Sequence, residues 1–306
     1  MSRTITIGLD GSSASLAAAD WAAREAQLRD LPLRLVNAWE WQPPAYASAA
    51  GLSAPVSPSD LQRAWAQRLL SEVRTRIAGR HPGLTIDADE IPDLPVPALL
   101  KAGEDAELLV LGSRGLSRVT GFLVGSISLA VLAGSERPVV LVRSAGHSEE
   151  DQLPEHPASE LPVPMAHRDV VLGLDLHKPN GTVIRFAFDA ASRAAARLRV
   201  VHGWTLPPYY YGGALMPELN DGMAAQVRRE LSDVLRPWQE KYPVVEVIPQ
   251  ATVGGAGGHL VDASRDAALV VVGRQARRAA VGTHIGPVVQ ALLHHAAAPV
   301  AVIPHD

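Results

Sequence analysis

Gly112-Ser113-Arg114-Gly115, followed after nine further residues by Gly125-Ser126, stands directly behind the apolar run Leu108-Leu109-Val110-Leu111. Consecutive apolar residues bounded by glycine read as a strand buried on both faces, as in a parallel sheet. Glycines let the backbone come close to an anion, and the N–H groups of a helix opening at Gly125-Ser126 would point at it. The G-x2-G-x9-G-S stretch is thus a buried strand, a glycine-rich loop and a helix start in the order that holds phosphate.

The landmarks around this stretch occur twice. Gly8-Leu9-Asp10 returns 165 residues later as Gly173-Leu174-Asp175. At the same spacing, Leu33-Arg34-Leu35-Val36-Asn37-Ala38-Trp39 returns as Leu198-Arg199-Val200-Val201-His202-Gly203-Trp204. Gly112 returns as Gly273, and Pro138-Val139 as Pro299-Val300, both 161 residues on. Landmarks that keep their order over such a distance mark a duplicated domain, not a solenoid of short units.

This order resembles the universal stress protein family in its tandem, two-domain form. The carrying residues are Asp10 at the end of the first strand, the second strand ending Val36-Asn37-Ala38-Trp39, and the glycine loop. The resemblance implies two α/β domains, each an open five-stranded parallel sheet with helices on both faces. It implies ATP as ligand, possible Mg2+, and nucleotide contacts at Gly8, Asp10, Ala38, Leu111, Gly112, Gly115, Gly125, Ser126 and Ser128. The matching second-half positions are Asp175, Gly203, Gly273 and Gly286. It also implies homo-oligomers formed through edge strands, near Pro138–Val142 or Pro299–Ile303, and an unknown protein partner. The stress-response role comes from the resemblance alone.

The 306 residues give room for two ordinary domains. Hydrophobic residues make up 47%, enough for large cores, and a formal net charge of −4 speaks against a nucleic-acid binder working by bulk electrostatics. With no cysteine, thiolate catalysis, disulfides and cysteine metal sites are excluded. The amino terminus runs into Thr4-Ile5-Thr6-Ile7 and reaches Asp10, which leaves no place for a secretory apolar segment. No apolar stretch approaches the ~20 residues that span a bilayer. A cytoplasmic protein with neither nucleic acid nor membrane as partner is expected.

Residues 1–143 form the first expected domain, 144–168 a proline-rich acidic linker, and 169–306 the second domain. The linker holds Pro154, Pro157, Pro162 and Pro164 with five acidic residues. In each half apolar strands alternate with helical patterns. First-half strands are expected at Thr4–Leu9, Leu33–Ala38, Leu84–Ala88, Leu108–Leu111 and Pro138–Val142. Helices fit Ala14–Arg29, Val96–Ala102 and Ser126–Ala133. A further helix starts at Ser59, with Gln62 placed for a capping box, and buries a stripe of Leu61, Trp65, Leu69, Val73 and Ile77. Second-half strands are expected at Val170–Leu174, Arg199–Gly203, Val244–Ile248, Leu269–Val272 and Val300–Ile303. Long loops, Glu40–Pro58 and Thr205–Asn220, follow the second strand of each half; Tyr209-Tyr210-Tyr211 in the latter either cover a base or form an interface.

Ligands of open parallel sheets bind beyond the carboxyl ends of strands, where Asp10, Ala38 and Gly112 all fall. Asp10 either holds ribose or a divalent cation, or caps the following helix. Ala38 either leaves room for a ring or simply packs. Arg114 and Arg118 either pair with phosphate or are solvated. No histidine pair has metal spacing, and neither a catalytic triad order nor a G-x-S-x-G elbow is present.

The second half departs from the motif. Ala276 stands for Gly115 and Pro287 for Ser126. If the position needs a positive φ, alanine there costs ~1–2 kcal/mol. Proline removes an N–H and a hydroxyl, each worth ~1.5–3 kcal/mol toward a charged group. Two such losses weaken phosphate binding by ~10² to 10⁴, which Arg277, Arg278 or His284 could partly restore. The expectation is a complete site in the first half and an altered or empty one in the second. The whole reads as an ATP-binding regulator with little or no hydrolysis. Two other classes stay open: a slow ATPase or nucleotide-dependent transferase, and a ligand-free interaction module.

Overall fold

The structure, a computed structural model, describes residues 3–39, 58–113, 125–143, 168–204, 217–275 and 285–306. Of the expected linker over 144–168, all but Arg168 lies outside the described residues. So do residues 40–57 and 205–216 with Tyr209, Tyr210 and Tyr211, and the loop positions Arg114, Gly115, Arg118, Ala276, Arg277, Arg278 and His284. The chain divides into two compact units, Met1–Ser144 and Ala145–Asp306.

The first unit runs β1 (Thr4–Gly8), α1 (Ser13–Arg29), β2 (Leu33–Ala38), α2 (Pro58–Arg80), β3 (Ile86–Ile91), α3 (Pro95–Glu104), β4 (Ala106–Ser113), α4 (Ser126–Gly134) and β5 (Val139–Arg143). Its strands lie in the order β3-β2-β1-β4-β5, all parallel, with Ile5 beside Leu33 on one flank and Leu108 on the other. The chain winds outward from β1 to β3 and then returns to β4 on the far side of β1. Such a reversal opens a crevice at the carboxyl ends of β1 and β4. Leu108, Leu109 and Val110 are fully buried, as a central parallel strand requires.

Helices cover both faces. On one side α1 packs against β1, β4 and β5 and touches α2; on the other α3 packs on β1, β2 and β4 and touches α4. Alanines at 14, 18, 19, 22, 23 and 26 give α1 a face that is buried yet small, so the helix lies close to the sheet. The approach is closest at Gly112, where an added Cβ would stand 2.6 Å from backbone atoms of Ala14 and Ser15. Gly8, in the neighbouring strand, faces the opposite way, toward Leu99 of α3 at 2.8 Å.

The second unit repeats the plan: β6 (Asp169–Gly173), α5 (Gly181–Arg193), β7 (Leu198–Trp204), α6 (Pro217–Lys241), β8 (Val247–Val253), α7 (Ala256–Ala263), β9 (Ala267–Gln275), α8 (Pro287–His295) and β10 (Val300–His305). Its parallel order is β10-β9-β6-β7-β8. Both α1 and α5 end through a residue in the left-handed region, Asp30 at φ 52° and Ala195 at φ 48°. The following amides close the same turn, Leu31 N–H onto Ala26 O and Ala196 N–H onto Ala191 O. No helix among the described residues is long and apolar enough to cross a membrane.

Several expected elements shift. The buried stripe of α2 is Ala66, Leu70, Val73 and Ile77, while Leu61 and Trp65 are 60% and 51% exposed. A strict four-residue spacing drifts around a helix of 3.6 residues per turn, whereas alternating steps of four and three stay on one face. Trp65 lies instead against Gly11. Ser59 falls inside α2, behind Pro58, and not ahead of it. The outer strands lie farther along than expected, β3 at Ile86–Ile91 and β8 at Val247–Val253. Both are half-polar flank strands, and β8 carries Pro249, so their apolar pattern is weak. Pro217–Asn220, expected as loop, belongs to α6, and β10 extends past Ile303 to His305.

Two substitutions test this packing. Gly112→Ala should destabilise the chain by about 1–3 kcal/mol, because backbone cannot yield to the new methyl. Ala195→Gly should stabilise it by up to about 1 kcal/mol by relieving the left-handed strain. Urea unfolding followed by far-ultraviolet circular dichroism reads both.

Candidate functional site

A cleft of 190 Å³ lies at the carboxyl ends of β1, β2 and β4. Gly8, Asp10, Ala38, Leu111, Gly112, Gly125, Ser126 and Ser128 all line it. These are the first-half residues singled out from the sequence, except Gly115, which lies outside the described residues.

Asp10 is exposed at the end of β1. Its Oδ1 accepts from the Ser12 backbone N–H at 3.0 Å and from the Ser12 hydroxyl at 2.5 Å. Ser12 Oγ in turn accepts from Ser15 N–H at 3.2 Å and caps α1. The cap is therefore Ser12, and the capping role weighed for Asp10 is corrected: Asp10 braces the cap from outside. The residue before it is tied down as well. The buried Asn37 amide donates to Leu9 O at 2.7 Å, and Leu9 N–H donates to Val36 O at 2.8 Å. Asn37 thus fastens the end of β1 to the end of β2.

Across the cleft, α4 opens at Gly125 with no side-chain cap. The first-turn N–H groups of such a helix carry the positive end of its dipole and need an acceptor. Ser128 Oγ donates to Gly112 O at 3.1 Å, fixing α4 to the end of β4. Gly125 has φ −58°, a conformation open to any residue, and an added Cβ would meet only Ser128 Oγ at 3.9 Å. Sequence reasoning missed Ser15, Pro95, Leu99 and Ile127 in the lining. Pro95 and Leu99 belong to α3, which the sequence showed as a helix without showing which strand end it covers.

The second unit has a cavity of 680 Å³ at the equivalent place. Asp175, Gly203 and Gly273 line it, while Gly286 is not among its lining residues and instead caps α8 ahead of Pro287. Asp175 Oδ1 accepts from His177 N–H at 2.9 Å. His202 takes the place of Asn37, with its Nδ1 2.9 Å from Leu174 O. The fastening of first strand to second is the same, made by a different side chain. Arg274, following Gly273, is buried, and that burial lowers its guanidinium pKa. His177, Lys178 and His305 in the lining had no sequence signal. Among the described residues, no group of three or more His, Cys, Asp or Glu side chains could hold a metal ion.

Residues 1–143 and 167–304 each match the universal stress protein family. The chain is 31% identical over 303 residues to universal stress protein Rv2623 of Mycobacterium tuberculosis, an alignment that covers 97% of this chain and 95% of that one. A universal stress protein from Archaeoglobus fulgidus has the same fold, with a TM-score of 0.67, 16% identity and full coverage of both chains. A shorter universal stress protein solved in complex with cAMP matches 47% of this chain and 98% of its own, at 28% identity and a TM-score of 0.34. The protein belongs to the universal stress protein family, with two family domains in tandem.

Proposed function

We propose that the first unit binds ATP and that the protein acts as a nucleotide-dependent regulator in the stress response. The observation that carries this reading is the convergence of Asp10, Ala38, Gly112, Gly125 and Ser126 on one cleft at the sheet's reversal point. At 190 Å³ the cleft is smaller than the ~300–1,000 Å³ usual for enclosed ligands, so it takes the base and ribose, with the phosphates outside at the start of α4. Leu9, Val36, Leu99 and Leu111 give it apolar walls. The uncapped first turn of α4 and the Ser126 hydroxyl supply donors to the phosphates. Asp10 is the one carboxylate among the described lining residues. That suits Mg2+, which takes one or two carboxylates and completes its shell with phosphate and water.

ATP should bind the full chain more tightly than GTP, because the base lies against backbone at Ala38. Titration calorimetry with each nucleotide decides, and equal affinities would remove the base-recognition claim.

Gly125→Ala combined with Ser126→Ala should weaken ATP binding by about 10²-fold or more, through the loss of a charge-assisted donor and of close approach. The melting temperature should stay near that of the parent, since an alanine methyl at Gly125 meets open space. Unchanged binding would make the loop a connector only.

Turnover should be far below a typical enzyme rate of ~10 s⁻¹. Hydrolysis needs a group that positions water as well as one that stabilises charge at the γ-phosphate, and Asp10, the one carboxylate among the described lining residues, cannot hold Mg2+ and serve as the base at once. Phosphate release assayed on the purified chain at saturating ATP reads this directly.

A further inference from the structure

The second cavity differs from the first at the start of a helix. In the first unit α1 opens at Ser13 and its first turn rests on Gly112. At the matching place in the second unit, Pro179 stands where Ala14 does. A residue before proline is steered out of the helical region, so Lys178 cannot open a helix as Ser13 does. The helix waits until Gly181, capped by Asn180, whose Oδ1 accepts from Thr182 and Val183 N–H. About one turn of helix is lost. The space over Gly273 goes to the imidazole of His305, whose Nε2 stands 2.7 Å from where a Gly273 Cβ would be. The cavity opens to 680 Å³, against 190 Å³ in the first unit.

Its chemistry differs too. Pro287 opens α8 with neither an N–H nor a hydroxyl, so the donors that Ser126 offers in the first unit are missing. Among the described lining residues, the charged side chains are the carboxylates of Asp175 and Asp306 and the ammonium of Lys178. His202 adds an acceptor. Its Nδ1 faces a carbonyl, which only accepts, so in the neutral ring Nδ1 carries the proton and Nε2 keeps its lone pair. Val183, Val201, Leu260 and Val272 provide apolar walls.

We propose that this cavity takes a neutral ligand with a flat heteroaromatic body and several hydroxyl or amino donors, a nucleoside in place of a nucleotide. The volume lies inside the ~300–1,000 Å³ range of ligand cavities. The apolar walls cover the ring body, and Asp175 and His202 meet the ligand's donors. Among the described lining residues, a phosphate would set its charge against two carboxylates and one ammonium, at a helix start that lacks the N–H and hydroxyl Ser126 offers in the first unit. The inference rests on the reading of the strand-end clefts as nucleotide-type sites.

The test uses the full chain carrying Gly125→Ala and Ser126→Ala, titrated calorimetrically with adenosine and with AMP. Adenosine should bind at least about tenfold more tightly than AMP, and the binding that belongs to this cavity is the part that responds to Asp175. Adding Asp175→Asn keeps the turn, since asparagine also accepts from the His177 N–H, and should cut that preference by about threefold or more. Absence of adenosine binding, tighter binding of AMP, or a preference unmoved by Asp175→Asn would each overturn the proposal. ATP titrated into the unsubstituted chain and into Asp175→Asn alone separates the two sites. Failure of ATP to bind there removes the first-unit reading, while an adenosine preference that responds to Asp175→Asn leaves this one standing.

Discussion

The contact between the first turn of α1 and Gly112 sets the rest of the first site. Backbone atoms of Ala14 and Ser15 occupy the space that any side chain at 112 would need. That seat fixes where the helix begins, and therefore where Ser12 caps it and where Asp10 must stand to brace the cap. Ser128 reaches the carbonyl of the same glycine from the opposite helix layer. One residue without a side chain thus joins α1, β4 and α4 at the reversal of the sheet. The second unit shows the consequence of withholding the seat: Gly273 is present, but Pro179 delays the helix and an imidazole fills the gap.

A second constraint is shared by both units and met by different chemistry. The carbonyl that precedes each strand-end aspartate would be a buried acceptor at the edge of a cleft. Asn37 satisfies it in the first unit and His202 in the second. Leaving such a group unsatisfied costs about 1–3 kcal/mol, which is reason enough for a polar side chain at an otherwise apolar strand end. The choice between amide and imidazole then has a side effect. The histidine is among the residues that line its cavity, while the asparagine is not part of the first cleft's lining.

The central strands were legible because their signals are local, and the duplication because its landmarks keep their order. Leu108-Leu109-Val110-Leu111 is short, apolar and bounded by Gly112, which reads as a buried strand without tertiary context. The flank strands were read two or three residues early because Asp87, Asp89, Glu90 and Pro249 break their apolar pattern. The stripe of α2 was misplaced at Leu61 and Trp65 because spacing by four ignores the drift of the helix. His305 could not be found at all. Its place in the cavity depends on how far β10 runs and on a helix turn missing some 125 residues earlier in the chain.

That missing turn was nonetheless written in the sequence, in Lys178-Pro179-Asn180. Proline bars the residue before it from the helical region, and asparagine is a strong cap, so together they place the start of α5 at Gly181 without reference to the rest of the fold. What the three residues do not convey is the consequence for the cavity, which depends on Gly273 lying beneath. A local rule about helix starts thereby becomes a rule about ligand chemistry. With the turn wound, backbone covers the strand-end glycine, and the cleft is narrow beside the start of α4. With it unwound, the cavity is wider, and the imidazole of His305 stands over the glycine. Two copies of one domain can in this way present different surfaces to small molecules while keeping the same strands, the same order and the same fastening of β1 to β2 and of β6 to β7.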